Sequence, residues 1–373
     1  VARVSTLSGE LVRAALAGIA PYEAGKPIEE VQRELGLERV AKLASNEGQF
    51  GPFPEALAAI ADAAGGLNRY PDGAAWRLRS ALAELHGVPL ERVTHGAGVD
   101  AIIEHLSQAL LDPGDEVVVG WPSFISYPLH ALKLAAVPRR VALHEQRLDL
   151  AAMLAAIGPR TKIVYIANPN NPTGTMNTRA ELDAYFGEVP GHVLTVLDEA
   201  YYDYVEHGDY PDGIEEYAKR GARVAVLRTF SKIYGLAGLR VGYGVAPPEI
   251  VAALAKVRPA FDLSTLGQEA ALASLANREE LERRRAANRA SLAELTRILV
   301  RAGLDPVAPG SANFVCVELG RESEPFFRDL LREGVVVRPL AGFGAPTAVR
   351  ITVGTQEEHR LLEAALDRLA PAR

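Results

Sequence analysis

The stretch from Arg223 to Gly244 concentrates the residues best suited to chemistry. Val224, Ala225, Val226 and Leu227 form a short apolar run, which predicts a buried strand. Thr229, Ser231 and Lys232 follow where that strand must stop, and Arg240 comes eight positions after the lysine (240 − 232). Gly235, Gly238, Gly242 and Gly244 lie around it, so the backbone here turns tightly or approaches something closely. A lysine amine can form a Schiff base with an aldehyde, while hydroxyls and a guanidinium hold a phosphate. Pyridoxal phosphate is the common cofactor that needs both. A solvated turn with one surface lysine is the plain alternative, and the rest of the chain weighs on that choice.

The elements that would position these groups alternate between strand and helix. Strands are expected at Glu116 to Val119, Val137 to Leu143, Lys162 to Ala167 and His192 to Leu197, with helices near 54–64, 74–86, 149–157, 247–256 and 264–276. Alternation of this kind predicts right-handed crossovers and a mainly parallel sheet covered by helices. Ligands then bind at the carboxyl ends of the strands. Asp198 closes one strand there. A buried carboxylate needs a cationic or hydrogen-bonding partner, and a protonated pyridine nitrogen would satisfy it. At ~4 Å and an effective dielectric of ~20 such a pair is worth about 4 kcal/mol before desolvation. Asp198 could instead cap the following turn. Tyr201, three residues on, could reach a phenolic ring oxygen. The loop Asn168 to Gly174 holds two Asn-Pro steps, and an Asn there can donate to a ring oxygen or serve turn chemistry alone.

Gly96, Gly98, Val99 and Asp100 open a helix that is expected to reach about Leu110. Free N–H groups at a helix start make a phosphate seat, although a glycine pattern of this sort is weak evidence by itself and a plain loop fits too. Phe124 can lie on a cofactor ring or fill core. Tyr22 and Tyr70 read as an arm anchor and a packing residue before a Pro-Asp-Gly turn. Residues 278–302 read as one long helix. After it, short strands at Asn313 to Glu318, Val335 to Val337 and Val349 to Val353 interleave with helices at 324–333 and 356–370, which predicts a small α+β domain. Arg338 and Arg350 flank its sheet; strand-end arginines usually face solvent, but these could grip an anionic substrate group.

Composition narrows the function classes. The chain has 373 residues, 48% of them hydrophobic, with a net charge of −7 and no basic run, so neither nucleic acid nor an anionic membrane is an expected partner. Cys316 is the single cysteine, which excludes an internal disulfide and reads as a buried, inert thiol. No run of ~20 apolar residues and no basic-then-apolar leader is read, so a soluble cytoplasmic protein is expected. No metal site is expected.

Read together, Asn171-Pro172-Thr173-Gly174, Asp198-Glu199-Ala200-Tyr201, Thr229-Phe230-Ser231-Lys232 and Arg240 resemble the fold-type I pyridoxal-phosphate aminotransferases. More narrowly, the chain looks like their histidinol-phosphate aminotransferase branch. The closer signs are P-Y-E-A-G-K-P-I at 21–28, L-A-S-N-E at 43–47, R-Y-P-D at 69–72, N-P-N-N-P-T-G at 168–174, R-T-F-S-K at 228–232, L-A-G-L-R-V-G-Y at 236–243, S-A-N-F-V at 311–315 and V-R-I-T-V-G-T at 349–355.

The resemblance implies the aminotransferase fold: a large cofactor-binding domain over 46–280, and a small domain built from both termini, with residues 1–45 as arm and part of it and 281–373 as the rest. It implies that Lys232 forms the aldimine and moves the proton, Asp198 pairs with the pyridine nitrogen, and Tyr201 and Asn171 contact the phenolic oxygen. Thr229, Ser231, Arg240 and the helix start at Gly98, Val99 and Asp100 would hold the phosphate, and Phe124 would stack on the ring. Tyr70 would reach the neighbouring subunit's cofactor, so a homodimer with shared sites is expected. Arg350 would bind the substrate's carboxylate or phosphate, with Tyr22, Asn46 and Arg338 lining the substrate side.

Three departures from the family pattern bear on substrate choice. Gly48-Gln49 stands where Asn-Pro is usual, Val99-Asp100-Ala101 where a Ser or Ala precedes Asp-Glu, and Phe124 where the stacking residue is often Tyr. The expected activity is ping-pong transamination, with histidinol phosphate and 2-oxoglutarate as substrates. An aromatic amino acid aminotransferase and a threonine-phosphate decarboxylase-like enzyme are the alternatives. In a different class stands a non-catalytic cofactor-binding module, which would call for a DNA-binding extension.

Overall fold

The apolar runs become strands of one large sheet. A computed structural model describes residues 11–20, 27–307 and 310–369. Its seven-stranded sheet has the order Val93–Gly96, Gly242–Val245, Val224–Thr229, Leu194–Asp198, Thr161–Ala167, Glu116–Trp121, Val137–Ala142. The last five pair in parallel, and Gly242–Val245 runs antiparallel to both of its neighbours. Val93–Gly96 therefore points the same way as the parallel five, and six carboxyl ends share one edge. The expectation of a mainly parallel sheet holds.

Burial on both faces explains why these strands read as unbroken apolar runs rather than alternating ones. Ile163 and Tyr165 face one layer with Ile102, Ile103 and Leu106 of the helix Val99–Leu110. Val164 and Ile166 face the other, with Leu78, Leu82, Leu182 and Tyr185 from the helices Trp76–His86 and Arg179–Glu188. Each such fully buried aliphatic side chain contributes about 1.5–3 kcal/mol.

Several elements escaped the sequence reading, the short strands Val93–Gly96 and Asp305–Pro306 among them. Gly242–Val245, read as backbone that turns tightly or approaches something closely, is a strand. Its glycines serve close packing: a Cβ at 242 would lie 2.5 Å from the Val99 nitrogen, and one at 244 would lie 2.8 Å from Leu227 Cδ2. The helix Arg179–Glu188 carried no expectation, although its start is marked by a capping box between Thr178 and Glu181.

A second, four-stranded antiparallel sheet has the order Arg338–Pro339, Ala348–Thr352, Phe314–Glu318, Asp305–Pro306. The expected strand Val335 to Val337 is shortened to Val335–Val336. Val335–Val336 pairs in parallel with Ala41–Lys42, and the next strand turns into the four-stranded sheet. That ladder ties the N-terminal segment to the C-terminal one around a core that includes Leu43, Leu295, Val315, Ile351 and Leu362. The helix Arg278–Arg301 bridges the two sheets. Its Arg284 donates Nη1 to the carbonyl of Ile233 at 3.1 Å, and its Asn288 donates to that of Ala312 at 3.3 Å. Cys316 is buried, and burial pushes its thiol up to about 12, as an inert packing role requires. Among the described residues no helix is long and apolar enough to cross a membrane, and no cluster of metal-ligating side chains forms.

Candidate active site

Strand ends deliver the polar residues to one place. Asp198 ends Leu194–Asp198, Thr229 ends Val224–Thr229, and Gly98 precedes the helix that follows Val93–Gly96. Asp198 and Thr229 border a cavity of about 190 Å3, and Val99, the residue after Gly98, lines it too. Asn46, Val99, Asp100, Phe124, Asn171, Asp198, Tyr201, Thr229, Ser231, Lys232, Arg240, Arg338 and Arg350, all expected at a site, line it together. A wider surface groove of about 690 Å3 lies beside His144 and Tyr185, but its Arg147 and Glu181 pair with each other at 2.6 Å, and no lysine lines it.

Lys232 Nζ donates to the carbonyl oxygen of Asn46 at 3.1 Å. Burial lowers its pKa to about 8; the guanidinium groups of Arg350 and Arg240 push the same way, and the carboxylates of Glu47 and Asp198 oppose them. The amine therefore loses its proton far more readily than an exposed lysine does, and nucleophilic attack on a carbonyl requires that uncharged form.

Asp198 is 5% exposed. Its Oδ2 accepts the Tyr127 hydroxyl at 2.7 Å and its Oδ1 the Ala200 N–H at 3.0 Å. Burial pushes its carboxyl above the ordinary range, against the pull of those two donors and Lys232. A buried carboxylate on a cavity wall, short of positive charge, fits a cationic ring nitrogen. Beneath it Arg228 grips Glu199 with Nε and Nη2 at 2.8 and 2.7 Å, riveting the ends of the two strands that carry Asp198 and Thr229.

Tyr201 accepts from Asn46 Nδ2 at 2.8 Å, and burial raises its phenol, so the hydroxyl stays protonated and able to donate. Asn171 Oδ1 accepts from Arg350 Nη1 at 2.5 Å, which leaves its NH2 as the end able to donate elsewhere.

The start of the helix Val99–Leu110 meets Arg240 through a backbone-shaped turn. Gly98 has φ +84, and a Cβ there would lie 2.4 Å from Arg240 Nη2, so only glycine lets the guanidinium lie against the start of the helix Val99–Leu110. Arg240 itself is left-handed, φ 54, and its Nη1 reaches Ser231 Oγ at 3.4 Å. The Thr229 hydroxyl accepts the Ser231 N–H and donates to the Val241 carbonyl, which fixes this turn. Val99 offers only its N–H. Asp100 turns its carboxylate toward His130, 3.4 Å away.

Arg338 and Arg350 face each other across adjacent strands in direct register, and both line the cavity. Like charges placed so favour an anion between them. Tyr70 stands apart: it is 81% exposed and stacked on Phe261 with ring centroids 4.5 Å apart. Tyr22 lies outside the described residues. The Gly48 departure has a physical cause, because a Cβ there would sit 2.7 Å from the carbonyl oxygen of Lys232. The sequence reading missed Tyr127, three residues beyond Phe124 and likewise lining the cavity, and gave no role to Asn313 or Thr352, which bond to Asn46.

The family model described as aminotransferase class I and II matches residues 38–369. The chain belongs to this family. It is similar to histidinol-phosphate aminotransferase of Moorella thermoacetica, 46% identical over 95% of this chain and 92% of that protein. It is also similar to histidinol-phosphate aminotransferase 1 of Nitrosococcus oceani, 43% identical over 94% of each. Among solved structures, the histidinol-phosphate aminotransferase from Sinorhizobium meliloti in complex with pyridoxal-5'-phosphate superposes with a TM-score of 0.88 at 29% identity, covering 98% of this chain and 100% of that one. The fold expected from the resemblance is thus the fold of its relatives.

Proposed function

We propose that this aminotransferase uses pyridoxal phosphate and moves an amino group between histidinol phosphate and 2-oxoglutarate. The observation that carries the reading is a buried lysine, Lys232, sharing one cavity with a buried carboxylate, Asp198, and a cross-strand arginine pair. The names of the relatives above support the substrate.

Bound pyridoxal phosphate supplies an aldehyde that condenses with amines and a ring that accepts electrons from Cα. Toward that group Asp198 holds the proton on the ring nitrogen, while Tyr201 and Asn171 donate to the phenolic oxygen. Phe124 covers a ring face. The N–H groups of Val99 and Asp100, the Ser231 hydroxyl and Arg240 grip the phosphate, with Gly98 and Thr229 shaping the seat. Lys232 Nζ, as the uncharged amine, would take the proton from the substrate's Cα and carry it to the cofactor's C4′, on the far side of the shared nitrogen. Arg350, with Arg338, binds the substrate's anionic group.

The working unit in this reading is a homodimer in the cytoplasm, with Tyr70 reaching the neighbouring subunit's site; its exposure and its stacking on Phe261 suit that role. Residues 1–45 and 281–373 are assigned to the small domain and 46–280 to the large one, in keeping with the ladder between Ala41 and Val335. A steady-state assay with glutamate as donor tests the reading. Amination of imidazole-acetol phosphate is expected. Amination of phenylpyruvate alone would move the enzyme to aromatic substrates, and amination of neither would overturn the proposal.

A further inference from the structure

Asn46 is 1% exposed and left-handed, with φ 53, a conformation that Asn tolerates better than other side chains but still at a cost. Every polar group it has is used. Its N–H donates to Thr352 Oγ1 at 3.0 Å, and Thr352 Oγ1 donates back to Asn46 Oδ1 at 3.1 Å. Its Nδ2 donates to Tyr201 at 2.8 Å. Its carbonyl accepts from Lys232 Nζ at 3.1 Å and from Asn313 Nδ2 at 3.2 Å. Thr352 and Asn313 belong to the four-stranded sheet and its edge, Tyr201 and Lys232 to the ends of the large sheet's strands. Asn46 is thus the point where the small sheet meets the two groups nearest the chemistry.

The amide orientation follows from proton counting. The buried Thr352 hydroxyl must give its proton to an acceptor, and Oδ1 is the one at hand. The NH2 group therefore faces Tyr201, whose oxygen accepts. The tyrosine's own proton is left to point elsewhere, and Tyr201 lines the cavity.

We propose that Asn46 is a positioning residue with two arms: its side chain aims the Tyr201 hydroxyl proton into the cavity, and its left-handed carbonyl parks the Lys232 amine. The inference rests on the pyridoxal-phosphate reading above. Arg350, Glu47, Arg240 and Asp198 also act on Lys232, and Arg350 and Asp198 on Tyr201, so each arm is read against those fixed charges.

The experiment has two readouts. In protein loaded with pyridoxal phosphate, the visible absorbance is titrated with pH for wild type, Asn46→Gly, Thr352→Val and Tyr201→Phe. Loss of a hydrogen bond to the cofactor's phenolic oxygen makes the oxygen more basic, so the midpoint in Tyr201→Phe rises by about one to two pH units. Asn46→Gly is expected to produce at least half of that rise, and Thr352→Val a smaller one in the same direction. In cofactor-free protein, the rate of Lys232 modification by trinitrobenzenesulfonate is followed against pH by peptide mapping. Asn46→Gly keeps the left-handed carbonyl and leaves that midpoint unchanged. Asn46→Val, whose branched side chain resists φ > 0, lowers it, because a carbonyl acceptor favours the ammonium.

Wild-type titration in both Asn46→Gly and Thr352→Val, with Tyr201→Phe shifted, would overturn the proposal; if Asn46→Gly does not fold, Thr352→Val decides alone. An unshifted Tyr201→Phe would overturn it as well, by removing Tyr201 from the oxygen. Failure of wild type to bind pyridoxal phosphate would instead sink the underlying reading.

Discussion

Tyr127 gives its hydroxyl proton to Asp198 at 2.7 Å from a fully buried position, its ring stacked on Tyr165 at 4.6 Å. This bond helps to keep a desolvated carboxylate ionised. Tyr127→Phe retains the ring packing and removes one hydrogen bond to a charged acceptor, worth about 1.5–3 kcal/mol. Asp198 then titrates at still higher pH. Cofactor affinity is expected to fall about ten- to a hundred-fold, and more steeply as pH is lowered. Fluorescence titration with pyridoxal phosphate at several pH values checks both.

Lys232 offers a pH prediction with a definite sign. Its folded pKa is lowered, to about 8 from an ordinary 10.5. Between those values the unfolded chain binds a proton that the folded chain does not, so stability from this group rises with pH across that window; below about 8 the full burial cost is present. In cofactor-free protein its modification rate is expected to have a midpoint near 8. Glu47→Gln removes a charge that favours the ammonium and shifts the midpoint down. A midpoint near that of an exposed lysine would contradict the burial described here.

Much of this site is legible in the sequence, and the reason is topological. Asp198, Thr229 and Lys232 stand just past apolar runs, so calling the strands also places them at one edge of a parallel sheet. Asn313 and Thr352 are different. Their partner Asn46 is far away in the chain and reaches them only after the ladder between Ala41 and Val335 forms. Local pattern carries no trace of that pairing. Tyr127 was missed because its partner Asp198 lies 71 residues further on, and nothing local marks that pairing. The strand Gly242–Val245 was missed because glycine has little strand preference, while its close approach to a neighbouring backbone was legible.

Gly98→Ala tests the phosphate seat. The added Cβ meets Arg240 Nη2 at 2.4 Å on a backbone already at φ +84. Backbone strain costs about 1–3 kcal/mol, and the flexible end of Arg240 swings aside, taking its charge from the helix start. Pyridoxal phosphate affinity is expected to fall at least about tenfold, with a lowered Tm. Differential scanning calorimetry with and without the cofactor separates the two effects.

Arg350→Lys keeps the charge and discards the planar fork. Its bonds to Asn171 and to the Ala44 carbonyl at 2.8 Å are lost or lengthened. Truncating such a buried charge contact costs about 2–5 kcal/mol, so kcat/KM for the anionic substrate is expected to drop by roughly two orders of magnitude. Steady-state kinetics with glutamate and imidazole-acetol phosphate measure it. Rates unchanged within twofold would remove Arg350 from the substrate.

The central claim concerns Lys232, one of seven lysines in the chain. Loaded protein is reduced with borohydride, digested, and the peptide bearing the pyridoxyl group is identified by mass spectrometry. The account predicts one modified peptide, the one carrying Lys232, with bleaching of the visible absorbance and no modification in Lys232→Ala. A pyridoxyl group on any other lysine, or retained absorbance in Lys232→Ala, would contradict it.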